Sequence, residues 1–455
     1  MTDSSSTETV PALFATQVAR GGDTPAIHVR RGGDFVPLSW SEFATDVRRA
    51  AAALIGLGVK PGDRVILVSP NRYEWVVCDL AIQLARAVHV PVHASLSGPQ
   101  IAHQIVDSGA VAVILSGEEQ AEKLIPEVSR FPATLKTIAF DPCPDSWEHF
   151  HFLRFGELLA EADENVAAGV EQQALAHIRP EDLATILYTS GTTGEPKGVM
   201  LSQRNLASNA VASVEAFGSR SDDLRITWLP LSHIFARTCD LYTWLATGCQ
   251  LALAESPEAV IANCYQLQPT LINGVPYFYE KVQRRFSEAG LANKPGELVK
   301  LFGGRMRLCV SGGAALPQHV ARFYQSQGLR LLQGYGLTET SPVIATESEK
   351  SNRLGTVGRA VPGVEVRISD EGEIQTRGPH VMMGYWHDPK STAATIEDGW
   401  LRTGDLGEID ADGFLHITGR KKELIVTAGG KNIAPAHLEG LLIEDPLIQQ
   451  VVVIG

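Results

Sequence analysis

Short apolar runs alternate with longer amphipathic ones along the first hundred residues, and this alternation restricts the fold more than any other feature. "WSEFATDVRRAAAALIGLGV" reads as a helix ending at glycine, "DRVILVSPN" as a buried strand, and "EWVVCDLAIQLARA" as a second helix. Strands apolar on both faces need cover on both sides, which helices following each strand supply, so the pattern implies a mostly parallel sheet. The fold class is therefore α/β. At 455 residues the chain exceeds one ordinary core, and two or more domains are expected.

Residues 1–12 are polar and acidic and read as a disordered N-terminus. A first α/β part spans 13–180. Its end, 118–180, is irregular, with "EADENVAAGVEQQALAHIRPED" read as a surface connection. A second α/β part covers 181–351, with strands at "LATILYTS", "RITWLP", "QLALA", "PTLINGVP", "MRLCVSG" and "LRLLQGYG". Over 352–418 the period becomes two: "VEVRIS", "GEIQTRG" and "FLHITG" are short strands divided by Gly and Asp turns, a small β-rich part. Together these make a domain of 13–418. Residues 419–455 hold a charged hinge-like run, "RKKE", then strand, loop, helix and the apolar strand "QQVVVIG".

The formal net charge of −13 argues against a nucleic-acid partner, because binding nucleic acid needs a basic face. It also means that an anionic ligand must be held by a few local cations. No apolar run is long enough to span a bilayer and the N-terminus lacks a signal-peptide pattern, so a cytoplasmic location is expected. "VRRGG" and "VQRRF" read as scattered surface charge, with peripheral contact to anionic lipid headgroups as the alternative. The six cysteines form no Cys-x-x-Cys pair and read as buried thiols. His89 and His93 have metal-ligand spacing for a helix, but "HVPVH" is a strand with Pro91 inside it, and structural histidines are the better reading.

The stretch "YTSGTTGEPKG" concentrates hydroxyls, glycines and one lysine between the strands "LATILYT" and "GVMLS". It is not a P-loop of the Walker kind, since Pro196 stands where the second glycine belongs. Gly191 and Gly194 can take positive φ and let successive N–H groups form an anion nest. Thr189, Ser190, Thr192 and Thr193 add hydroxyls, and Lys197 adds a point charge suited to pyrophosphate. A Thr-rich hairpin turn is the bland alternative. Ser202 is placed to cap the next helix.

The rest of the chain favours the nucleotide. "GYGLTET", "YWHD", "WLRTGDLGEIDADGFLHITGR" and "GRKKELIVTAGGKNIAP" follow in order, and with the Thr/Gly loop they resemble the adenylate-forming superfamily: acyl-CoA synthetases, peptide-synthetase adenylation domains and luciferases. The resemblance runs from about residue 40 to the end. It implies attack of a carboxylate on the α-phosphate of ATP, then displacement of AMP by a thiol, usually coenzyme A. It assigns residues 189–197 to the β- and γ-phosphates, Glu339 and Thr189 to Mg2+, and Thr338 to the α-phosphate. Tyr335 would pack on adenine beside Gln333 and Gly334. Asp405 would accept the ribose hydroxyls, with Arg420 as its partner and the hinge near Lys422. His233 of "PLSHIFART" would stand beside the substrate carboxylate, with Gly313 in the loop "SGGAAL" between acyl group and adenine. "DADG" departs from a calcium loop and reads as a hairpin turn.

Ile234, Phe235, Leu241, Tyr242, Trp244, Val275, Tyr277 and Phe278 suggest an apolar acyl pocket, each with a core reading beside it. Amino-acid-activating domains need an Asp soon after the His233 motif; Arg237 is there and Asp240 is off register. The wording "PLSHIFART", "PTLINGVPYFYEKV" and "GGKNIAP" looks most like long-chain fatty acyl-CoA synthetases. Family members continue into a complete C-terminal domain carrying a lysine for adenylation; Lys431 of "AGGKNIAP" is not that lysine. The expectation is thus a fatty acid–CoA ligase with an incomplete C-terminal domain. A fragment that binds nucleotide and acyl group without turnover, or an adenylation domain for another acid, is the alternative.

Overall fold

A computed structural model of the chain describes residues 8–144, 151–189, 196–254, 256–426, 432–433, 435–442, 448 and 451–454. Among the described residues, two large mixed sheets and one small antiparallel sheet carry the fold. The first large sheet has the order Gly384–Tyr385, Lys197–Ser202, Leu183–Thr189, Val88–Val92, Arg64–Val68, Ala112–Leu115, Lys136–Ala139 and Phe152–Arg154. Its strands from Leu183–Thr189 onward run parallel. Val88–Val92 and Ala112–Leu115 are buried throughout, as strands covered on both faces must be.

The second large sheet runs Arg359–Ala360, Val343–Thr346, Arg330–Gly336, Leu308–Ser311, Leu271–Gly274, Leu224–Thr227, Gln250–Leu253, Pro25–Arg31 and Asp34–Ser39. Its parallel centre matches the strands expected from the sequence. The small sheet joins Glu365–Ile368, Glu373–Arg377, Trp400–Ile409, Ile396–Glu397 and Leu415–Arg420, all antiparallel. Within it "DADG" is a hairpin turn, closed by Asp410 N–H to the Phe414 carbonyl at 3.0 Å.

The sheets do not follow the order of the sequence blocks. The hairpin Pro25–Ser39 completes the second sheet beside Gln250–Leu253, whereas Leu183–Thr189 and Lys197–Ser202 complete the first. Helix Trp40–Gly56, opened by a Ser39/Glu42 capping box, lies between these partners. Trp40 stacks on Trp244 at 4.6 Å, with Phe43 edge-on to Trp244 at 5.3 Å.

Three local expectations need correction. A helix begins at Val10, inside the stretch read as disordered; Thr9 caps it, and Val10 and Phe14 are fully buried. The supposed surface connection holds a helix, Glu164–His177, capped by Asp163, which buries Ala167, Val170 and Ala174. Its apolar face is narrow and made of small residues, a weak periodic signal. Residues 451–454 form no strand, and Val452 and Ile454 are exposed.

Five of the cysteines are buried and Cys143 is half-buried. No helix among the described residues is long and apolar enough to cross a membrane.

The segment after His233 bolts the two large sheets together. It is a short helix, Ile234–Ala236, continued by a π-helical turn, Arg237–Tyr242. On one side buried Arg237 donates to Asp79 (2.9 Å) and Thr185 (2.7 Å), and Asp79 meets His89 Nδ1 at 2.6 Å. On the other side Asp240 accepts from Arg225 (3.1 Å), Thr227 (2.7 Å) and Asn273 (2.8 Å). Every charge in the segment is paired, as burial demands.

Candidate active site

The ends of strands from all three sheets converge on a cavity of about 590 Å³. Strand Leu183–Thr189 delivers Thr189 to its wall, and Thr189 faces Lys197 across the hairpin register. The following helix Gln203–Phe217 starts at Ser202, whose side chain accepts from Asn205 N–H, the cap expected from the sequence. Ser190, Gly191, Thr192, Thr193 and Gly194 lie outside the described residues, as does Lys431.

Strand Arg330–Gly336 brings Gly334 and Tyr335 to the cavity, and the tight turn Thr338–Thr340 brings Thr338 and Glu339. Gly336 is needed there: a Cβ would stand 1.7 Å from the Pro342 carbonyl oxygen. Gln333 is set back from the wall, its N–H donating to Glu347 Oε2 at 2.8 Å. Glu347 is buried, and burial pushes its carboxyl up to about 7.

Asp405 and Arg420 are register partners on adjacent strands of the small sheet. Arg420 Nε lies 2.8 Å from Asp405 Oδ1, and the Tyr335 hydroxyl donates to Oδ2 at 2.7 Å. Burial, with the Asp405 charge beside it, holds the Tyr335 hydroxyl well above its usual pKa, so it remains a donor. One carboxylate thus ties the Tyr335 ring to the small sheet. Lys422 and Lys421 line the mouth, Lys421 with Glu373 at 3.5 Å.

His233 and Gly313 also line the cavity, with Ile234 and Phe235. His233 is exposed on the cavity wall, its Nδ1 accepts from Phe235 N–H at 3.2 Å, and desolvation by its surroundings, with His93 nearby, lowers its pKa and favours the neutral ring. Gly313 takes φ +81°, which an L side chain resists. The remaining aromatics of the expected acyl pocket divide differently. Leu241, Tyr242 and Trp244 are fully buried core, Phe278 packs on Trp228 at 4.9 Å, and Tyr277 is 65 % exposed. None of these lines the cavity, and neither does Val275. Helix periodicity alone does not say which side of a helix meets a ligand.

Lys197 lies outside the main cavity, on a smaller one of about 210 Å³ with His103, Asp107, Trp386 and Asp388. Its ammonium reaches Ser391 Oγ at 2.5 Å and Asp388 Oδ2 at 3.4 Å, and sits 5.2 Å from the Tyr385 ring centroid. Tyr385, for which the sequence offered a motif and no role, lines the main cavity and donates to Glu339 Oε1 at 2.8 Å. Glu373, Arg402 and Thr403 also line it without having been anticipated.

The comparisons with known proteins bear on the family and the fold. The family model of the AMP-binding enzyme matches residues 14–386. The chain is 35 % identical to long-chain-fatty-acid–CoA ligase FadD15 of Mycobacterium bovis, over 93 % of this chain and 76 % of that one. It is 31 % identical to a feruloyl-CoA synthase of an Amycolatopsis species, over 94 % of this chain and 82 % of that one. Among solved structures, ATP-bound MatB of Rhodopseudomonas palustris superimposes with a TM-score of 0.81 at 30 % identity, covering 98 % of this chain and 86 % of that one. The chain belongs to the AMP-binding, adenylate-forming enzymes and is an acid–thiol ligase of that family.

Proposed function

We propose that this chain activates a long-chain fatty acid as its acyl-adenylate and transfers the acyl group to coenzyme A, releasing AMP and pyrophosphate. The observation that carries the reading is the single cavity in which Thr189, Thr338, Glu339 and Tyr335, the last held by Asp405, face His233, Ile234 and Phe235. The lining combines polar, charge-handling groups with apolar ones, as an amphipathic acid meeting ATP requires.

In this reading Asp405 accepts the ribose hydroxyls and Tyr335 packs on adenine, with Gly334 and Gln333 alongside. Thr338 donates to the α-phosphate, and the loop 189–197 holds the β- and γ-phosphates. Neutral His233 can donate one ring N–H to the acid carboxylate without repelling it or being trapped by it. Gly313 lets the acyl-phosphate region pass close to backbone. Glu339 and the Thr189 hydroxyl are hard oxygen donors lining the same cavity, and Tyr385 engages Oε1 of Glu339, so the donor chemistry of the pair fits Mg2+. Such an ion supplies neutralisation of the leaving pyrophosphate. The protein's own contribution is mainly positioning, because attack of one anion on another needs alignment and fixed opposing charge. Arg420 and Lys422 at the mouth stand where the ribose and a hinge would meet. The long-chain preference draws on the likeness to FadD15 and on the apolar lining residues. A hydroxycinnamate-type acid is the second reading, favoured by the likeness to a feruloyl-CoA synthase. Asp240, the acid that follows His233 in the sequence, is buried and engaged by Arg225 and Thr227, so it is not presented to a substrate ammonium.

Mass spectrometry of the chain incubated with Mg·ATP, coenzyme A and a ladder of carboxylic acids tests this. Acyl-CoA and AMP appearing together, most strongly with long saturated acids, is the expected result. Preference for an aromatic acid would replace the fatty acid by the second reading. Adenylate analogues that bind while no product forms would mean a binding protein that does not turn over.

A further inference from the structure

Glu339 lines the main cavity and Lys197 the smaller one, yet both touch Tyr385, and without ligand two such opposite charges could cancel in an ion pair. The structure takes another course. Lys197 turns to Ser391 at 2.5 Å and Asp388 at 3.4 Å, while Glu339 Oε1 accepts from the Tyr385 hydroxyl at 2.8 Å. The Tyr385 ring intervenes, 5.2 Å from the Lys197 ammonium.

Tyr385 is pinned from both sides. Its strand, Gly384–Tyr385, pairs with Lys197–Ser202, matching Tyr385 with Val199. The Tyr385 N–H donates to Thr392 Oγ1 at 2.9 Å and the Trp386 N–H to the Gly198 carbonyl at 2.7 Å. Met382 N–H donates to the Glu339 carbonyl at 2.9 Å, which ties the same short segment to the turn that carries Glu339. One element therefore fixes the relative positions of the two charges.

We propose that Tyr385 is a positioning residue that holds Glu339 and Lys197 apart, its hydroxyl orienting the carboxylate and its ring face seating the ammonium. Both charges thereby stay available for a metal-bound triphosphate. Asp388 and Ser391 keep the ammonium until the phosphates arrive. This rests on the nucleotide reading of the cavity.

The test is nucleotide binding by calorimetry on the full chain, with and without Mg2+, so that turnover is not the readout. Tyr385→Phe removes only the hydroxyl and should raise the half-saturating Mg2+ about tenfold, leaving metal-free ATP affinity unchanged. Tyr385→Leu removes the ring as well and should weaken metal-free ATP about tenfold, since Lys197 is then free to pair with Glu339. Tyr385→Leu combined with Glu339→Gln should restore metal-free affinity, a rescue that a merely structural role would not give. Thermal midpoints of the ligand-free variants check that each is folded. Unchanged Mg2+ dependence in Tyr385→Phe, or absence of the rescue, overturns the proposal alone. Failure of the wild-type chain to bind ATP overturns it together with the nucleotide reading.

Discussion

Asp405 shows how much one side chain can be asked to do. Its carboxylate accepts from Tyr335 and Arg420 and, in the proposed function, from two ribose hydroxyls as well. Asp405→Ala should raise the KM for ATP roughly a hundredfold, from two charge-assisted hydrogen bonds of about 1.5 kcal/mol each. Steady-state kinetics with ATP and 2′-deoxy-ATP check this: the wild-type chain should discriminate between them and the variant should not. Glu347 bears on stability. Its carboxyl is raised to about 7 from 4.5, so the folded protein favours the protonated form. That contribution is complete below about pH 4.5 and is lost as pH rises through about 7, amounting to roughly 3 kcal/mol. Thermal midpoints measured from pH 5 to 8 should fall across this window, and less steeply in Glu347→Gln.

The π-helical turn Arg237–Tyr242 is the element that joins the two large sheets, and its charges are its bolts. Arg237→Met keeps the length of the side chain and removes the cation from between Asp79 and His89. Asp79 keeps His89 but loses its cation, and leaving a buried carboxylate without one costs up to about 3–5 kcal/mol, which urea unfolding would register as a lower midpoint at similar slope. An unchanged midpoint would mean that Asp79 takes up a proton at little cost. Because His233 opens the same segment, the acid KM should also rise in this variant while the ATP KM changes less. Sequence reasoning saw Arg237 only as the wrong residue for binding an ammonium. Its pairing with Asp79 spans 158 positions, and no local pattern encodes a contact of that range.

At the scale of the whole molecule, the sheets are interlocked through the chain order. Pro25–Arg31 needs Gln250–Leu253 as its neighbour, and Val88–Val92 needs Leu183–Thr189. A chain of residues 13–180 alone therefore lacks partners for strands at two places, exposing apolar edges. It should show little protected amide by hydrogen exchange and a weak circular dichroism spectrum. A cooperatively folded 13–180 would restore it as an independent unit. The cavity lies where strand ends from the three sheets meet, so its formation should be lost in the same transition as global unfolding.

The local elements followed from the sequence because their causes are local. Apolar runs bounded by turns gave the parallel strands, the period of two gave the small sheet, and Ser202 gave a helix start. The helix Glu164–His177 escaped, since its buried face is built from alanines and one valine. At the site, the motif order pointed to Thr189, Thr338, Glu339, Tyr335 and Arg420, and all five line one cavity. Only the tertiary structure decided which aromatics face the cavity, that Lys197 rests on Asp388 and Ser391, and that Tyr385 stands between Lys197 and Glu339. A side chain's chemistry is written at its own position. Its neighbour across 46 or 194 residues is set by how sheets pack, which depends on the whole chain at once.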